Sequence, residues 1–293
     1  MYITENDTTN IEISSIYHYK GVNNVISYDY KDFDKWDIKI NTGLLLPDNT
    51  SRSYYLIIDT QFNTACGHWV YENAIYLPLF IELKKIYPSI KLHLQCHKDY
   101  KILYCKHFNI RIEDIVLDLS DNNTCFFPLP VSSQNKNTFS DELKLQIDAF
   151  SKYLRPITSK HINILLMPRQ NKENYVNNDR KYIIDDISKN IQGDVNNIIL
   201  NTDSIQTLQE QINIVGSCKN LILTGGAPYF INAIFCNNTN IIVLDDFSIG
   251  HIKQFIKVRY LDYLIQERNT VTFIPNKNNG IFTYDDIKNY LIV

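Results

Sequence analysis

The chain has 293 residues, of which 44% are hydrophobic and 21% charged, and this is enough to bury a sizeable core in one large domain or two ordinary ones. The formal net charge of -3 and the pI near 6.2 give no chain-wide reason to expect a nucleic-acid partner. No apolar run reaches the ~18 residues of a membrane span, and the N-terminus lacks a signal-peptide pattern. We therefore expect a soluble, cytoplasmic protein without a transmembrane segment, or at most one peripheral to a membrane.

Two features of the composition bear on compartment and source. The six cysteines contain no Cys-x-x-Cys pair and show no metal-site spacing, which predicts reduced thiols in the core. Asn, Ile, Lys and Tyr are used heavily throughout the chain, as is typical of a viral or other AT-rich genome. Neither feature indicates a mechanism.

The first half of the chain predicts alternating strands and helices. Short apolar pieces before residue 52 indicate short strands or irregular structure. A buried-type strand at 54–59 is followed by a turn and then by an amphipathic helix that runs from Trp69 to the Tyr87-Pro88 step. The pattern continues with strands at 91–94, 115–117 and 125–127 and helices at 100–108 and 141–154.

The second half repeats the alternation more regularly, beyond a domain boundary at Arg155-Pro156. We expect one domain at 1–155 and a second at 156–293 that ends in helices. The second domain predicts strands at 162–167, 197–200, 221–224 and 241–244 and helices at 180–191, 207–215, 251–264 and 283–291. Strands that alternate with helices predict an α/β fold, with a parallel sheet covered by helices on both faces.

A glycine turn in the second domain is the first candidate site. Thr224 ends an apolar strand, Gly225 and Gly226 follow it, and Ala227 and Pro228 open the next helix. Glycine lets the backbone adopt positive φ and approach a ligand closely, and the N–H groups that open a helix favour an anion. This pattern predicts a phosphate-binding turn, and the alternative is an ordinary tight connection between strand and helix.

A histidine and a glutamate form the second candidate site. His68 and Glu72 are four residues apart, on one face at the start of the helix that follows the strand at 54–59. The carboxyl ends of strands are where open α/β sheets bind their ligands, so this pair is placed for acid–base chemistry. The alternative is structural, with His68 capping the helix and Glu72 complementing its dipole.

Two further groups bear on phosphate and metal binding. Arg169 follows a strand, and Arg180 and Lys181 open the next helix, so all three are candidates to hold phosphate; the alternative for Arg169 is a surface role. Asp32 and Asp34 have the Asp-x-Asp spacing that some sugar transferases use to hold a metal. Acidic residues in such a polar segment are more typical of a solvated loop, so we predict no metal site.

Several of these residues also match a known family in type and order. The matching residues are Gly67, His68, Trp69 and Glu72, then Arg169 and Arg180, then Glu210, Gln211 and Ile212, and finally the turn at Gly225–Ala227 with Asn232 and Phe235. In this order they resemble glycosyltransferase family 61, which includes plant cell-wall xylosyl- and arabinosyltransferases, animal O-linked GlcNAc transferases, and bacterial or viral capsule enzymes. The resemblance covers roughly residues 67–245 as separate islands.

The resemblance implies a fold and a reaction. Members are described as two Rossmann-like domains that face a cleft (GT-B type) and as inverting, metal-independent enzymes that use a nucleotide sugar. For this chain it implies a UDP-linked donor as substrate, no cofactor, a glycan or other hydroxyl acceptor, and a possible homo-oligomer. The first domain would be the acceptor side and the second would bind the nucleotide sugar.

It also implies roles for the matching residues, and one departure leaves alternatives open. His68 and Glu72 would be catalytic, whereas the donor would be held by Arg169, Arg180, Lys181, Glu210, Thr224, Gly225, Gly226, Ala227 and Asn232. The family's turn contains a histidine that this chain lacks. A catalytically degenerate nucleotide- or glycan-binding protein is therefore one alternative. A polysaccharide pyruvyl-type group transferase with the same two-domain architecture is another.

Overall fold

The computed structural model describes residues 16–20, 39–40, 53–58, 66–118, 123–128, 141–158, 161–167, 184–200, 205, 207–244, 256–275 and 281–292. The chain divides into two compact units, Met1–Tyr153 and Leu154–Val293. This division falls two residues before the boundary expected from the sequence. No helix in the described ranges is both long enough and apolar enough to span a bilayer.

The first unit contains one mixed sheet and four helices within the described residues. Its strands are β1 (Ile16–Lys20), β2 (Lys39–Ile40), β3 (Ser53–Ile57), β4 (Lys91–His93), β5 (Ile115–Val116) and β6 (Asn123–Pro128). Its helices are α1 (Cys66–Glu72), α2 (Leu77–Ile86), α3 (Asp99–His107) and α4 (Asp141–Tyr153). The strand order is β2-β1-β6-β3-β4-β5.

The direction of the strands in this sheet confirms the predicted α/β class. The neighbouring strands β6, β3, β4 and β5 are all parallel. Strand β1 is antiparallel to both β2 and β6, so the sheet carries an antiparallel edge that the sequence did not predict. The chain proceeds from β3 to β4 and β5 on one side and then returns to the other side of β3 as β6, which makes the β3/β6 junction a topological switch point.

The long helix predicted from Trp69 to the Tyr87-Pro88 step is wrong as one continuous element. The structure breaks it into α1 and α2, with a short 3-10 turn at Ala74–Tyr76 between them. Pro78 lies in the first turn of α2. Proline has no N–H to donate, and its ring clashes with the carbonyl four residues earlier, so a helix restarts there more readily than it continues.

The second unit contains a five-stranded sheet in which every strand pair is parallel. Its strands are β7 (Ile162–Met167), β8 (Asn197–Ile199), β9 (Cys218–Thr224), β10 (Asn240–Leu244) and β11 (Thr270–Ile274). Its helices are α5 (Asp185–Ile191), α6 (Leu208–Val215), α7 (Ala227–Ala233), α8 (Ile256–Arg268) and α9 (Tyr284–Ile287). The order β11-β10-β9-β7-β8 is a doubly wound topology.

Helices cover both faces of this sheet. On one face, Ile187 of α5 and Ile287 of α9 pack with Ile222 and Ile242 in an apolar core. Phe273 alternates with the core residue Ile274 along β11 and therefore points to the other face. There its ring lies 5.7 Å from that of Tyr229 on α7. This arrangement confirms the parallel sheet between two helix layers that the sequence predicts for the second domain.

Several elements of the second unit differ from the sequence prediction, and α8 ends four residues past the predicted end at Leu264. Strand β11 was not predicted, although Thr270–Ile274 is a β-branched and aromatic run. The last helix is only the single turn α9, followed by a 3-10 turn at Lys288–Tyr290. Strand β9 begins at Cys218, three residues before the predicted apolar run, because its first residues still pair with β7 and β10.

Candidate functional site

The carboxyl edge of the second sheet has the topology of a ligand site. The chain leaves β7 toward β8 on one side, and it leaves β9 toward β10 on the other. Helices after neighbouring strands therefore diverge between β7 and β9, and open α/β sheets bind ligands in the crevice at such a switch point. The predicted glycine turn directly follows β9 at this place.

The backbone of the turn requires glycine at one position. Gly226 has φ 81° and ψ -142°, a conformation that is strained for any residue with a Cβ. A Cβ at Gly226 would meet no atom within 4 Å, so the requirement is conformational and not one of space. The N–H of Gly225 donates to the carbonyl oxygen of Leu244 at 3.2 Å, which ties the turn to the end of β10.

Thr224, the last residue of β9, carries a polar group that lacks a partner. It is 1% exposed, and within the described part of the chain its Oγ1 is a buried atom without a hydrogen bond. Leu244 of β10 is its register partner, so Thr224 shares the face that α5 and α9 cover. Burying a hydroxyl without a bond costs free energy, so Thr224 stays a candidate ligand contact.

Strand β7 and helix α5 flank the residues that are predicted to bind phosphate. Met167 ends β7, and α5 begins at Asp185 on the face to which Thr224 points. Arg169, Arg180 and Lys181 belong to this connection but lie outside the described residues. Their roles as phosphate ligands therefore stay predictions.

Asn232 is buried, and its amide links two helices. Its Oδ1 accepts a hydrogen bond from Gln211 Nε2 of α6 at 2.5 Å, and its Nδ2 donates to the carbonyl oxygen of Pro228 at 2.7 Å. Glu210, in the first turn of α6, is exposed, and its N–H donates to Thr207 Oγ1 at 3.1 Å. The predicted Glu-Gln pair thus has one exposed carboxylate and one amide that holds α7 to α6.

The predicted catalytic pair lies on α1 of the first unit. His68 and Glu72 are both within this helix, but their side chains lie outside the description. Helix α1 is the first helix after β3, whose carboxyl end borders the switch point with β6. Trp69 is fully buried, and its ring lies 5.8 Å from that of Tyr100 and 6.0 Å from that of Tyr104. These contacts fix α1 against α3.

Sequence reasoning missed a buried lysine beside this helix. Lys101 of α3 is fully buried, with its Nζ 5.8 Å from the centroid of the Trp69 ring and 3.5 Å from Cys96 Sγ. A signal for it was present, because Lys101 falls in the helical stripe that it shares with the buried residues Tyr104, Cys105 and Phe108. A charged residue at a core position of a helix is rare enough to be noted from the sequence.

No metal site follows from the described residues. Among them there is no group of three or more His, Cys, Asp or Glu side chains that could hold an ion. Asp32 and Asp34, the weak metal candidates, lie outside the described ranges. The predicted absence of a metal therefore stays a prediction.

Comparison with protein-family models found none that matches this chain, and comparison with curated proteins found no match either. The resemblance to glycosyltransferase family 61 therefore depends on the order of its motifs. The structure adds the class of fold, which is α/β with parallel sheets.

Proposed function

We propose that this protein is a glycosyltransferase. It transfers a sugar from a nucleoside-diphosphate donor, UDP-linked, to a hydroxyl of a glycan or other acceptor, with inversion and without a metal ion or cofactor. The proposal includes two α/β domains that face a cleft, as in GT-B type enzymes, with the donor on the second unit and the acceptor on the first. It combines the motif order with the chemistry available at the carboxyl edge of the second sheet.

The observation that carries the proposal is the Thr224 hydroxyl, which has no partner among the described residues and lies beside a glycine turn at a switch point. Phosphate oxygens are strong acceptors, and a hydroxyl together with backbone N–H groups is a set of donors that suits them. The N–H groups that open α7 have no partner inside the helix. Since α7 has only seven residues, these individual donors matter more than a helix dipole.

Positive charge for the departing diphosphate would come from the connection between β7 and α5. Arg169 follows β7, and Arg180 and Lys181 precede α5. A guanidinium can bind a phosphate with two parallel hydrogen bonds. Without a metal, these cations must stabilise the negative charge that develops on the leaving group.

The remaining predicted residues divide between the acceptor and the nucleoside. Glu72 or His68 would take the proton of the acceptor hydroxyl as it attacks the anomeric carbon, which develops oxocarbenium character. The exposed carboxylate of Glu210 would accept hydrogen bonds from the ribose hydroxyls. Asn232 would act indirectly, because its amide holds α7 to α6.

Calorimetry with UDP, GDP and ADP tests the donor site. We expect UDP to bind the wild-type protein, Arg169→Ala to abolish binding, and Glu72→Gln to bind UDP normally. Wild-type protein that binds none of the three nucleotides would refute the proposal. Unchanged affinity in Arg169→Ala would remove that residue from the site.

Release of UDP from a panel of UDP-sugars, with and without EDTA, tests the reaction. We expect turnover that EDTA leaves unchanged. Glu72→Gln and His68→Gln, made separately, should identify the base, because only the variant that lacks it should lose turnover. Near-normal turnover in both variants would refute the assignment of either residue as base.

The absence of the family's turn histidine favours one second candidate, a nucleotide- or glycan-binding protein without turnover. Among residues 224–227 there is no ionisable side chain, so this turn can bind a diphosphate but offers no acid or base. Nucleotide binding without sugar release from any UDP-sugar would support this candidate. Release of phosphate from phosphoenolpyruvate in the presence of a polysaccharide would instead indicate a pyruvyl-type transferase.

A further inference from the structure

Helix α7, which begins directly after the glycine turn, is held from both sides by polar contacts. On one side Gln211 of α6 donates to Asn232. On the other side the hydroxyl of Tyr229 donates to Asp262 Oδ1 of α8 at 2.8 Å. Neither Tyr229 nor Asp262 belongs to a site predicted from the sequence. The second contact is the more unusual because it places a carboxyl group in the core.

Asp262 is buried, and only neutral groups hold it. It is 7% exposed, and its second oxygen accepts a hydrogen bond from Gln266 Nε2 at 2.6 Å. No Lys, Arg or His among the described residues forms an ion pair with it. Burial raises the pKa of Asp262, although the bonds from Tyr229 and Gln266 oppose the rise. Burial, and then the neighbouring Asp262, likewise raise the pKa of Tyr229.

A buried carboxylate without a cation is costly. An apolar residue would fill the same space with less loss of solvation, so the carboxylate does not serve stability alone. Buried polar groups with satisfied bonds instead specify one arrangement of the elements that they join. Here the joined elements are α8 and the first turn of α7.

The contact lies close to the glycine turn along the chain. Tyr229 is the third residue of α7, and its ring is enclosed by Phe230 at 4.9 Å and Phe273 at 5.7 Å. The N–H of Phe230 donates to the carbonyl oxygen of Gly226 at 3.2 Å. Fixing the side chain of Tyr229 therefore fixes the peptide groups on which the geometry of the turn depends.

We propose that Asp262 is a positioning residue: through Tyr229 it holds the first turn of α7, and thereby keeps residues 224–227 in the conformation that binds the donor diphosphate. The diphosphate part of this inference rests on the function proposed above. The positioning part does not, because it concerns the order of the turn in the ligand-free protein. The two parts can therefore fail separately.

Hydrogen exchange in the ligand-free, full-length protein tests the positioning part. The reporters are the amide N–H groups of Gly225 and Phe230, which bond to Leu244 and Gly226. We expect Asp262→Ala and Tyr229→Phe each to speed exchange at both reporters about tenfold, the equivalent of one lost hydrogen bond. Asp262→Asn keeps an acceptor for the Tyr229 hydroxyl, so we expect it to stay within about threefold of wild type.

A matched control separates local order from general loss of stability. Thr239→Val removes a buried hydrogen bond to the Cys218 carbonyl oxygen at the other end of the sheet, and we expect it to leave both reporters unchanged. If the reporters in Asp262→Ala and Tyr229→Phe exchange at the wild-type rate, the positioning role is overturned. Equal acceleration in Asp262→Asn and Asp262→Ala would also overturn it, because a retained acceptor would then make no difference.

Calorimetry with UDP tests the diphosphate part. We expect Asp262→Ala and Tyr229→Phe to bind UDP about tenfold more weakly, and Asp262→Asn and Thr239→Val to bind as wild type does. Faster exchange with unchanged UDP affinity would mean that the turn is positioned but does not bind the diphosphate. Wild-type protein that binds no UDP would refute the proposed function while leaving the exchange result to decide the role of Asp262.

Discussion

Asn220 and Thr224 lie four residues apart on the same face of β9, one near each end of the sheet, and both are 1% exposed. The Asn220 amide uses all of its bonding capacity. Its Nδ2 donates to the carbonyl oxygens of Asn163 and Ile292, and its Oδ1 accepts from Asn240 Nδ2 and the Ile292 N–H, all within 2.7–3.0 Å. The Thr224 hydroxyl makes no bond within the described part of the chain.

This difference separates what stabilises the second unit from what the proposed function uses. At the amino edge, Asn220 and Asn240 hold residues 290–292 against the sheet, since Asn240 also donates to the carbonyl oxygen of Tyr290 at 2.7 Å. At the carboxyl edge, a buried donor is left unused beside a turn that only glycine adopts easily. We therefore expect changes at the amino edge to affect stability alone and changes at the carboxyl edge to affect ligand binding.

Asn220→Ala is expected to have the largest effect. It leaves two carbonyl oxygens, one N–H and one amide without their partner, and we expect it to lower the free energy of unfolding of the second unit by about 3 kcal/mol. Both tryptophans, Trp36 and Trp69, belong to the first unit. Tryptophan fluorescence would therefore report on the first unit, so urea unfolding of the second unit should be followed by hydrogen exchange at the amides of β9 and β10.

The control for this change is Asn237→Ala, at an exposed asparagine of the same unit, which should alter stability by less than about 0.5 kcal/mol. UDP affinity, measured where both variants are folded, should equal that of wild type. A stability loss below about 1 kcal/mol in Asn220→Ala would show that the amino-edge network contributes little.

Gly226→Ala and Gly193→Ala each place an alanine at a position with positive φ, one at each edge of the sheet. Gly193, with φ 114°, precedes β8 at the amino edge, and a Cβ at either glycine would meet no atom within 4 Å. We expect each alanine to cost about 1–2 kcal/mol, because it must adopt a left-handed conformation. Only Gly226→Ala should also weaken UDP binding by calorimetry. Equal UDP affinity in the two variants would contradict the assignment of the turn.

Thr224→Val and Thr239→Val form an isosteric pair with opposite expected signs. The Thr239 hydroxyl is satisfied by the Cys218 carbonyl oxygen at 3.1 Å, so we expect its loss to destabilise the protein by about 1 kcal/mol. The Thr224 hydroxyl has no bond to lose, so Thr224→Val should be neutral or stabilising by up to about 1 kcal/mol. The same change should weaken UDP binding, and Thr224→Ser should restore it.

A destabilising Thr224→Val would mean that its hydroxyl is already bonded in the free protein. Normal UDP binding in that variant would mean that the hydroxyl is not a ligand contact. Either outcome would remove the contrast between Thr224 at the carboxyl edge and Asn220 at the amino edge.

The sequence predicted the local structure around the turn better than its long-range contacts. An apolar run, two glycines and a proline predicted strand, turn and helix within residues 220–235, because those signals are local. The earlier start of β9 at Cys218 was missed, since Asn220 is polar and its burial is explained by bonds to distant residues, the farthest of which, Ile292, is 72 positions away. The contact between Tyr229 and Asp262 has a separation of 33 residues and no periodic signal.

Two other misses had local signals. Pro78 in an otherwise helical pattern marks the break between α1 and α2. The run Thr270–Ile274 is rich in β-branched and aromatic residues, which is typical of a strand. The candidate site itself was named from residue types, but the missing partner of Thr224 follows only from tertiary packing, because it depends on what β10 and the helices place around the end of β9.

The smallest expected effect concerns the pH dependence of the buried Asp262. Burial raises the pKa of this carboxyl in the folded protein, so between its unfolded and folded pKa values the folded state binds more protons than the unfolded state. The stability that Asp262 contributes is therefore fully present below its unfolded-state pKa, and it is lost as the pH rises through the folded-state pKa. Asp262→Asn lacks this titration. We expect the unfolding free energy of wild type to fall relative to this variant from about pH 4 upward.

Hydrogen exchange at β9 and β10 in both proteins, at several pH values, measures this difference. All other titrating groups are common to the two proteins, so they cancel to first order. A wild-type protein that gains stability relative to Asp262→Asn as the pH rises would show that Asp262 is stabilised as a carboxylate. The hydrogen bonds from Tyr229 and Gln266 would then outweigh the loss of solvation on burial.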